Sequence, residues 1–324
     1  GALAAFGIGN MTQVNAVVTQ MDVAFGFPTW ATGLVVMVFV GLVLVGGITW
    51  IGRVTAGFVP FMIIVYILAG IVVLVMNAGG ILPALGEVFT QAFTGSAVIG
   101  GGIGAAIRYG MARGIFSNES GMGSAAIVAA AAKTTHPVRQ GLVSMTQTFI
   151  DTIIVVSFTG LVILSNGAWT PEGAGVGAEE FSTGSATSYA FANTIGSGLG
   201  PIIVALCIAF FALSTVLGWS YYGERCAVRL VGVSAQMPYR IVFTLVVMLG
   251  ATRELDTIWN VADILNGLMA LPNLVGLLIL SGMIARETRA YLAKDPKLTR
   301  TDIPPDPLVA YDVAWVPAGE VKLR

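Results

Sequence analysis

The chemistry legible in this chain is that of binding. Residues 113–124, Arg113-Gly-Ile-Phe-Ser-Asn-Glu-Ser-Gly-Met-Gly-Ser124, set glycines and a run of polar side chains between two apolar stretches. The stretch before, at 96–107, is rich in glycine, and the one after, at 125–132, is almost all alanine. A membrane helix keeps its backbone hydrogen bonds to itself, but glycines at 114, 121 and 123 and polar side chains at 117–120 let one open at low cost. Unwound backbone persists in a bilayer only where protein or a cavity surrounds it. Discontinuous helices near the midplane are how many secondary transporters build a substrate site. The same residues suit a loop joining two helices outside the membrane, and periodicity alone leaves both readings open.

Other polar residues stand in apolar surroundings. Asn10 and Gln13 share a helix face by their spacing, which suits a small polar ligand or hydrogen bonding between helices. Asp151 lies in the middle of an apolar stretch, where an ionisable group marks either function or a structural pair. The adjacent hydroxyls of Ser214 and Thr215 are either satisfied by the carbonyl one turn back or offer hard oxygen to an alkali cation. One histidine, His136, and two cysteines, Cys207 and Cys226, supply no His-dependent catalytic arrangement, metal spacing or disulfide framework, which argues against an enzyme. Gly100-Gly-Gly-Ile-Gly104 resembles part of a dinucleotide fingerprint, but no strand precedes it and the acidic ribose partner is absent, so close helix packing explains it better.

The elements that must position these residues are membrane helices. The chain is 56% hydrophobic and 10% charged, with a mean hydropathy of +0.86, far from the roughly 25% charge of soluble domains. Uncharged runs of 30, 33 and 43 residues lie between Asp22 and Arg53, Arg53 and Glu87, and Glu180 and Glu224, where about 20 residues span a bilayer. No alternation with period two points to a barrel. A net charge of −1 and the lack of a basic patch with interleaved aromatics exclude nucleic acid as a partner. The lipid bilayer is the partner that composition demands; oligomeric state leaves no mark in it.

In order, we expect a first span to about residue 20, spans at 32–50 (closed by Arg53) and 58–77, and a loop or interfacial helix at 80–95. The broken element follows, then a span at 142–164, a polar loop at 165–188, a long span at 189–222, and another beginning at 238–250. Residues 257–285 form one interrupted crossing or two short helices. We assign 1–291 to a transmembrane domain and 292–324 to a cytoplasmic, disordered tail, from its charge and prolines. Arg53, Lys133, Arg139, Arg225, Arg229, Arg240 and the basic run from Arg286 mark one side, cytoplasmic by the positive-inside rule. Parity favours eight crossings. The chain starts without methionine and already inside an apolar helix, and we read it as a fragment lacking upstream spans.

Several long motifs resemble the alanine or glycine:cation symporter family within the amino acid-polyamine-organocation superfamily. They are Ala5-Phe-Gly-Ile-Gly-Asn-Met-Thr-Gln13, the 113–124 stretch, and His136-Pro-Val-Arg-Gln-Gly141 with Thr148-Phe-Ile-Asp-Thr152. Leu213-Ser-Thr-Val-Leu-Gly-Trp-Ser-Tyr-Tyr-Gly-Glu224 and Ala262-Asp-Ile-Leu-Asn-Gly-Leu-Met-Ala-Leu-Pro-Asn273 complete the set, which covers residues 1 to about 291. The family usually has Ala where Ser120 stands, a conservative change.

The resemblance implies an all-α, leucine-transporter-type inverted-repeat fold, here beginning at its third core helix. It implies a secondary active symporter that imports alanine or glycine with sodium by alternating access, without an enzyme cofactor or any metal beyond sodium. The missing first helix would hold much of the carboxylate and cation coordination, so this polypeptide alone should not transport. Carried over by position, the opened helix is 114–121. Its backbone, with Ser117, Asn118, Glu119 and Gly121, meets the amino acid, and Phe116 closes an apolar wall. Gln13 is a pocket residue, Trp259 a lid, and Ser214 with Thr215 the sodium site. Glu119 serves the substrate or holds the break open. The alternatives are a non-transporting scaffold or sensor of the same fold, or a proton-coupled carrier.

Overall fold

The computed structural model describes residues 1–91, 103–168 and 185–299, and those residues are helical with short breaks. They divide into two compact units. One comprises Gly1–Arg113 and Val155–Asn266; the other comprises Gly114–Ile154 and, of the described residues, 267–299.

The first unit opens with a short turn, α1 (Ala4–Phe6), a π-helical stretch (Gly7–Met11) and α2 (Thr12–Phe25). Next come α3 (Thr29–Val45), α4 (Gly47–Met76) and α5 (Ala78–Gln91). Helix α6 (Ile103–Asn118) enters the second unit after Arg113. The first unit also holds α9 (Ser157–Ser165), α10 (Ser185–Ile195), α11 (Leu199–Val231), α12 (Gln236–Thr252) and the start of α13 (Leu255–Lys294). Helix α11 is its axis, packing along α2, α4 and α10, while α12 packs on α3. Tyr66, Val73, Val162, Phe191, Val204 and Cys207 form one buried cluster around it. Backbones approach closely where side chains are missing. A Cβ on Gly250 would stand 2.7 Å from the Cα of Met11, and one on Gly9 would stand 2.2 Å from the Cβ of Trp219.

The second unit contains the end of α6, the short α7 (Ala125–Ala129), α8 (Pro137–Thr148), a π-helical stretch begun at Phe149–Val156, and the greater part of α13. His136 starts α8. Its Nδ1 accepts the Val138 N–H at 3.2 Å, and Pro137 follows at the first helical position, where no N–H is needed.

Among the described residues, five helices are long and apolar enough to cross a membrane: Gly47–Met76, Pro137–Ser165, Leu199–Val231, Val233–Thr252 and Thr257–Lys294. Thr29–Val45 and Ala78–Thr90 are shorter apolar helices. Several boundaries differ from the sequence-based expectation. The break expected at Arg53 lies instead at Gly46–Gly47, where Gly47 takes φ +66°. Arg53 stays inside α4, exposed and 5.9 Å from the Trp50 ring, so the charge costs the helix little and the glycine decides. The single span expected at 189–222 is two helices, parted between Ile195 and Leu199 where Gly196 takes φ +113°. Residues 257–285 belong to one helix that carries Pro272 without ending. The expected loop at 165–188 falls largely on residues 169–184, outside the described residues, as do the Gly100-Gly-Gly stretch to residue 102 and the tail from 300.

Candidate functional site

The opening forecast in the 113–124 stretch is present, but it is shorter and later than 114–121. Helix α6 runs through Gly114 to Asn118, and the backbone leaves helical form at 119–124 before α7 begins. Glu119, Gly121 and Gly123 all take positive φ (57°, 79° and 85°). Gly114 holds no such conformation, since glycine permits a break without enforcing one.

The opened turn is held by side chains of its own unit. Asn118 Oδ1 accepts the Ser120 N–H at 2.9 Å, an Asx turn that replaces the next helical bond. Ser124 Oγ donates to Glu119 Oε2 at 2.8 Å. Asn273, on α13, donates its amide to the Gly121 carbonyl at 2.9 Å, and a Cβ on Gly123 would meet its Cγ at 2.9 Å. Met122 is buried beneath. Helix α8 and its π extension flank the turn. Ser117 Oγ donates to Asp151 Oδ1 at 2.9 Å, Asn118 Nδ2 to Thr152 Oγ1 at 2.9 Å, and Thr152 Oγ1 to Asp151 Oδ2 at 3.3 Å. Ser120 and Thr148 share a hydroxyl contact of 3.3 Å. So Ser117, Asn118, Glu119 and Gly121 gather in one cluster, with Phe116 one residue ahead of them on α6. A turn of this kind exposes both poles of the peptide group: carbonyls where α6 ends and N–H groups where α7 starts.

The remaining predicted residues lie in the first unit. Ser214 Oγ and Thr215 Oγ1 both donate to the Phe211 carbonyl, at 2.7 and 3.1 Å. With their protons spent inside the helix, what each hydroxyl still offers is oxygen lone pairs, the chemistry an alkali cation needs. Gln13 bonds the Ile8 carbonyl at 3.2 Å across the π-helical stretch. Asn10 and Asn15 prove to be ties between helices: Asn10 Nδ2 donates to the Phe243 carbonyl at 2.7 Å, and Asn15 Nδ2 to those of Gly250 and Arg253 at 3.1 and 3.2 Å. Trp259 lies under a guanidinium, with Arg113 Cζ 3.8 Å from its ring centroid. The same guanidinium grips Asp263 through two parallel bonds of 3.2 Å. Asp263 thus has an arginine partner, and Arg113 is the member that sequence reasoning missed, because 150 positions separate the two.

Electrostatics are sharpest at His136, buried in the second unit against Tyr291 with ring centroids 4.2 Å apart. Burial pushes its imidazole below the ordinary histidine range, against the opposing pull of Glu287, whose Oε1 lies 3.1 Å from Nε2. Geometry agrees: Nδ1 accepts a backbone N–H, so the ring is neutral and Nε2 donates to Glu287. In the first unit, buried Glu224 receives Arg240 Nε at 2.6 Å and the Gln236 amide at 2.9 Å, clamping α11 to α12.

Apolar helices, one of them opened beside a carboxylate and hydroxyls, define a polytopic helical membrane protein. Residues 1–303 match the Sodium:alanine symporter family, and the chain belongs to that family, which comprises transporters and not enzymes. It is 51% identical over 291 residues to the sodium/alanine symporter AgcS of Methanococcus maripaludis, covering 90% of this chain and 63% of that protein. It is 30% identical over 278 residues to a sodium/proton-dependent alanine carrier protein of Bacillus sp. strain PS3, covering 83% of this chain and 62% of that one. Against the probable sodium/glutamine symporter GlnT of Bacillus subtilis it is 30% identical over 295 residues, covering 89% and 60%. The chain therefore spans just under two thirds of the length of these relatives.

Proposed function

We propose that this chain serves a secondary active symporter of the plasma membrane that carries alanine or glycine inward with sodium. The observation that supports the reading is the helix opened at 119–124, where backbone that has left helical form suits the ammonium and carboxylate of a zwitterion. In this reading the backbone at Glu119 and Gly121, with Ser117 and Asn118, binds the amino acid. Phe116 limits side-chain size, and Gln13 and Trp259 serve the substrate as the family resemblance assigns them. Ser214 and Thr215 hold the sodium ion. The fold is of the leucine-transporter type with eight crossings, and the basic loops and tail face the cytoplasm.

Transport follows by alternating access. Sodium and amino acid each prefer the state the other prefers, and that coupling is reciprocal. The relative named as sodium/proton-dependent gives specific ground for a second reading, in which a proton replaces sodium. The test is uptake of labelled alanine by the complete gene product in proteoliposomes, with an inward sodium gradient and again with choline in place of sodium. Uptake that needs sodium and falls when Ser214 and Thr215 become alanine supports the symporter and its ion site together. Equal uptake in both buffers moves the coupling to protons. No uptake of any small amino acid favours a scaffold or sensor.

A further inference from the structure

Three of the candidate spans meet at one corner of the first unit, where α11 finishes at Val231, α12 begins at Gln236 and α4 begins at Gly47. Arg240 is the joint. Its Nε donates to Glu224 on α11 at 2.6 Å, and its Nη2 stands 3.2 Å from where a Cβ on Gly47 would lie. Charge does not balance here. Residues 47–57 and 219–240 place Arg53, Arg225, Arg229 and Arg240 against a single carboxylate, Glu224. That carboxylate is committed to Arg240 and to the Gln236 amide, and Arg225 reaches its Oε1 only at 3.5 Å. Arg229 is exposed and, among the described residues, has no ion pair.

Arg225 and Arg229 stand one turn apart on α11, so their side chains share a face and two guanidinium forks can close on one phosphate. The ring of Tyr221, 4.9 Å from Arg225 Cζ, already orients the first fork. Beside them the surface turns apolar: Leu230 is 80% and Val233 74% exposed, and Val231 and Met237 are exposed as well. On α4 an exposed Trp50 carries Arg53 5.9 Å from its ring, the pairing of aromatic and cation that marks headgroup depth. A free anion would use the guanidiniums and leave the apolar residues in water. An amphiphile with a negative head uses both.

We propose that the corner between α11 and α12 docks an anionic phospholipid, with Arg225 and Arg229 gripping its phosphate and Leu230, Val231, Val233 and Met237 receiving its acyl chains. The lipid supplies the negative charge that Glu224 alone does not, and it does so beside the clamp that joins the two helices. Binding there depends on the membrane and not on which solute is carried.

The test is equilibrium binding of radiolabelled phosphatidylglycerol to the purified complete gene product in neutral detergent, with phosphatidylcholine of the same acyl chains and inorganic phosphate as competitors. Unlabelled phosphatidylglycerol should displace the label, and neither competitor should do so at the same concentration. Arg225→Gln with Arg229→Gln should weaken binding about thirtyfold, roughly five- to sixfold for each guanidinium facing an anionic lipid. Arg286→Gln with Arg289→Gln removes the same charge from exposed positions of the second unit and should leave the affinity unchanged. Equal displacement by phosphatidylcholine, or full affinity in the 225/229 variant, would overturn the proposal. So would an equal loss in the 286/289 variant, because positive charge anywhere would then suffice, or displacement by inorganic phosphate, which would make this a site for a free anion. Should the 225/229 variant fail to fold, Arg229→Gln alone breaks no ion pair among the described residues and should weaken binding roughly fivefold; unchanged affinity there refutes the site.

Discussion

Acid should loosen the second unit through His136. The ring is 2% exposed, stacks on Tyr291, donates from Nε2 to Glu287, and accepts the Val138 N–H at Nδ1. A second proton would have to sit at Nδ1, where it would face the N–H it now receives, so protonation removes the cap of α8 and replaces attraction by repulsion. Burial holds the folded-state imidazole below the ordinary value. The unfolded chain, titrating near 6.5, therefore takes up the proton first as pH falls. The sign follows: this contribution to stability is whole above about pH 6.5 and shrinks as pH drops, at up to ~1.4 kcal/mol per pH unit until the folded state also binds the proton. The assay is thermal unfolding of the purified protein in detergent between pH 7.5 and 5.5, for wild type and His136→Phe. Phenylalanine keeps the stack but cannot titrate, so it should start about 1–3 kcal/mol less stable, from the lost cap and hydrogen bond, and show a flatter pH profile. Equal slopes for the two proteins would refute the reasoning, since carboxylates elsewhere titrate in both.

Other substitutions probe the packing and the turn. Gly250→Ala drives a methyl into the Met11 backbone and should cost about 1–3 kcal/mol by overpacking, read as a lower melting temperature in detergent. Glu224→Ala leaves Arg240 largely buried without its carboxylate and should cost about 3–5 kcal/mol, whereas Glu224→Gln should retain part of the clamp; equal melting points for the two variants would contradict this. Gly123→Ala strains a residue at φ +85° and presses on Asn273, so substrate affinity should fall with little change in sodium binding, checked by calorimetry with alanine. Arg113→Lys removes the two-pronged grip on Asp263 and the flat stack on Trp259, and should weaken amino acid uptake more than it lowers stability.

Composition alone made this a helical membrane protein, because apolar runs longer than a bilayer is thick admit few other structures. The stretch 113–124 likewise marked where a break could fall, although its glycines and polar side chains suited a loop between helices as well, and the backbone opens only at 119–124. The paired hydroxyls at 214 and 215 stood out in an apolar run, but their assignment to sodium came from the family resemblance, and in the structure both donate to the Phe211 carbonyl. Tertiary structure decided where each break falls, because glycine permits positive φ but only packing, such as Asn273 against Gly123, requires it. It also separated two aspartates that look alike along the chain. Among the described residues Asp263 has its arginine, whereas Asp151 receives the hydroxyls of Ser117 and Thr152, and that difference depends on which helices lie side by side. Periodicity describes the faces of one helix at a time and carries no record of the neighbour each face will meet.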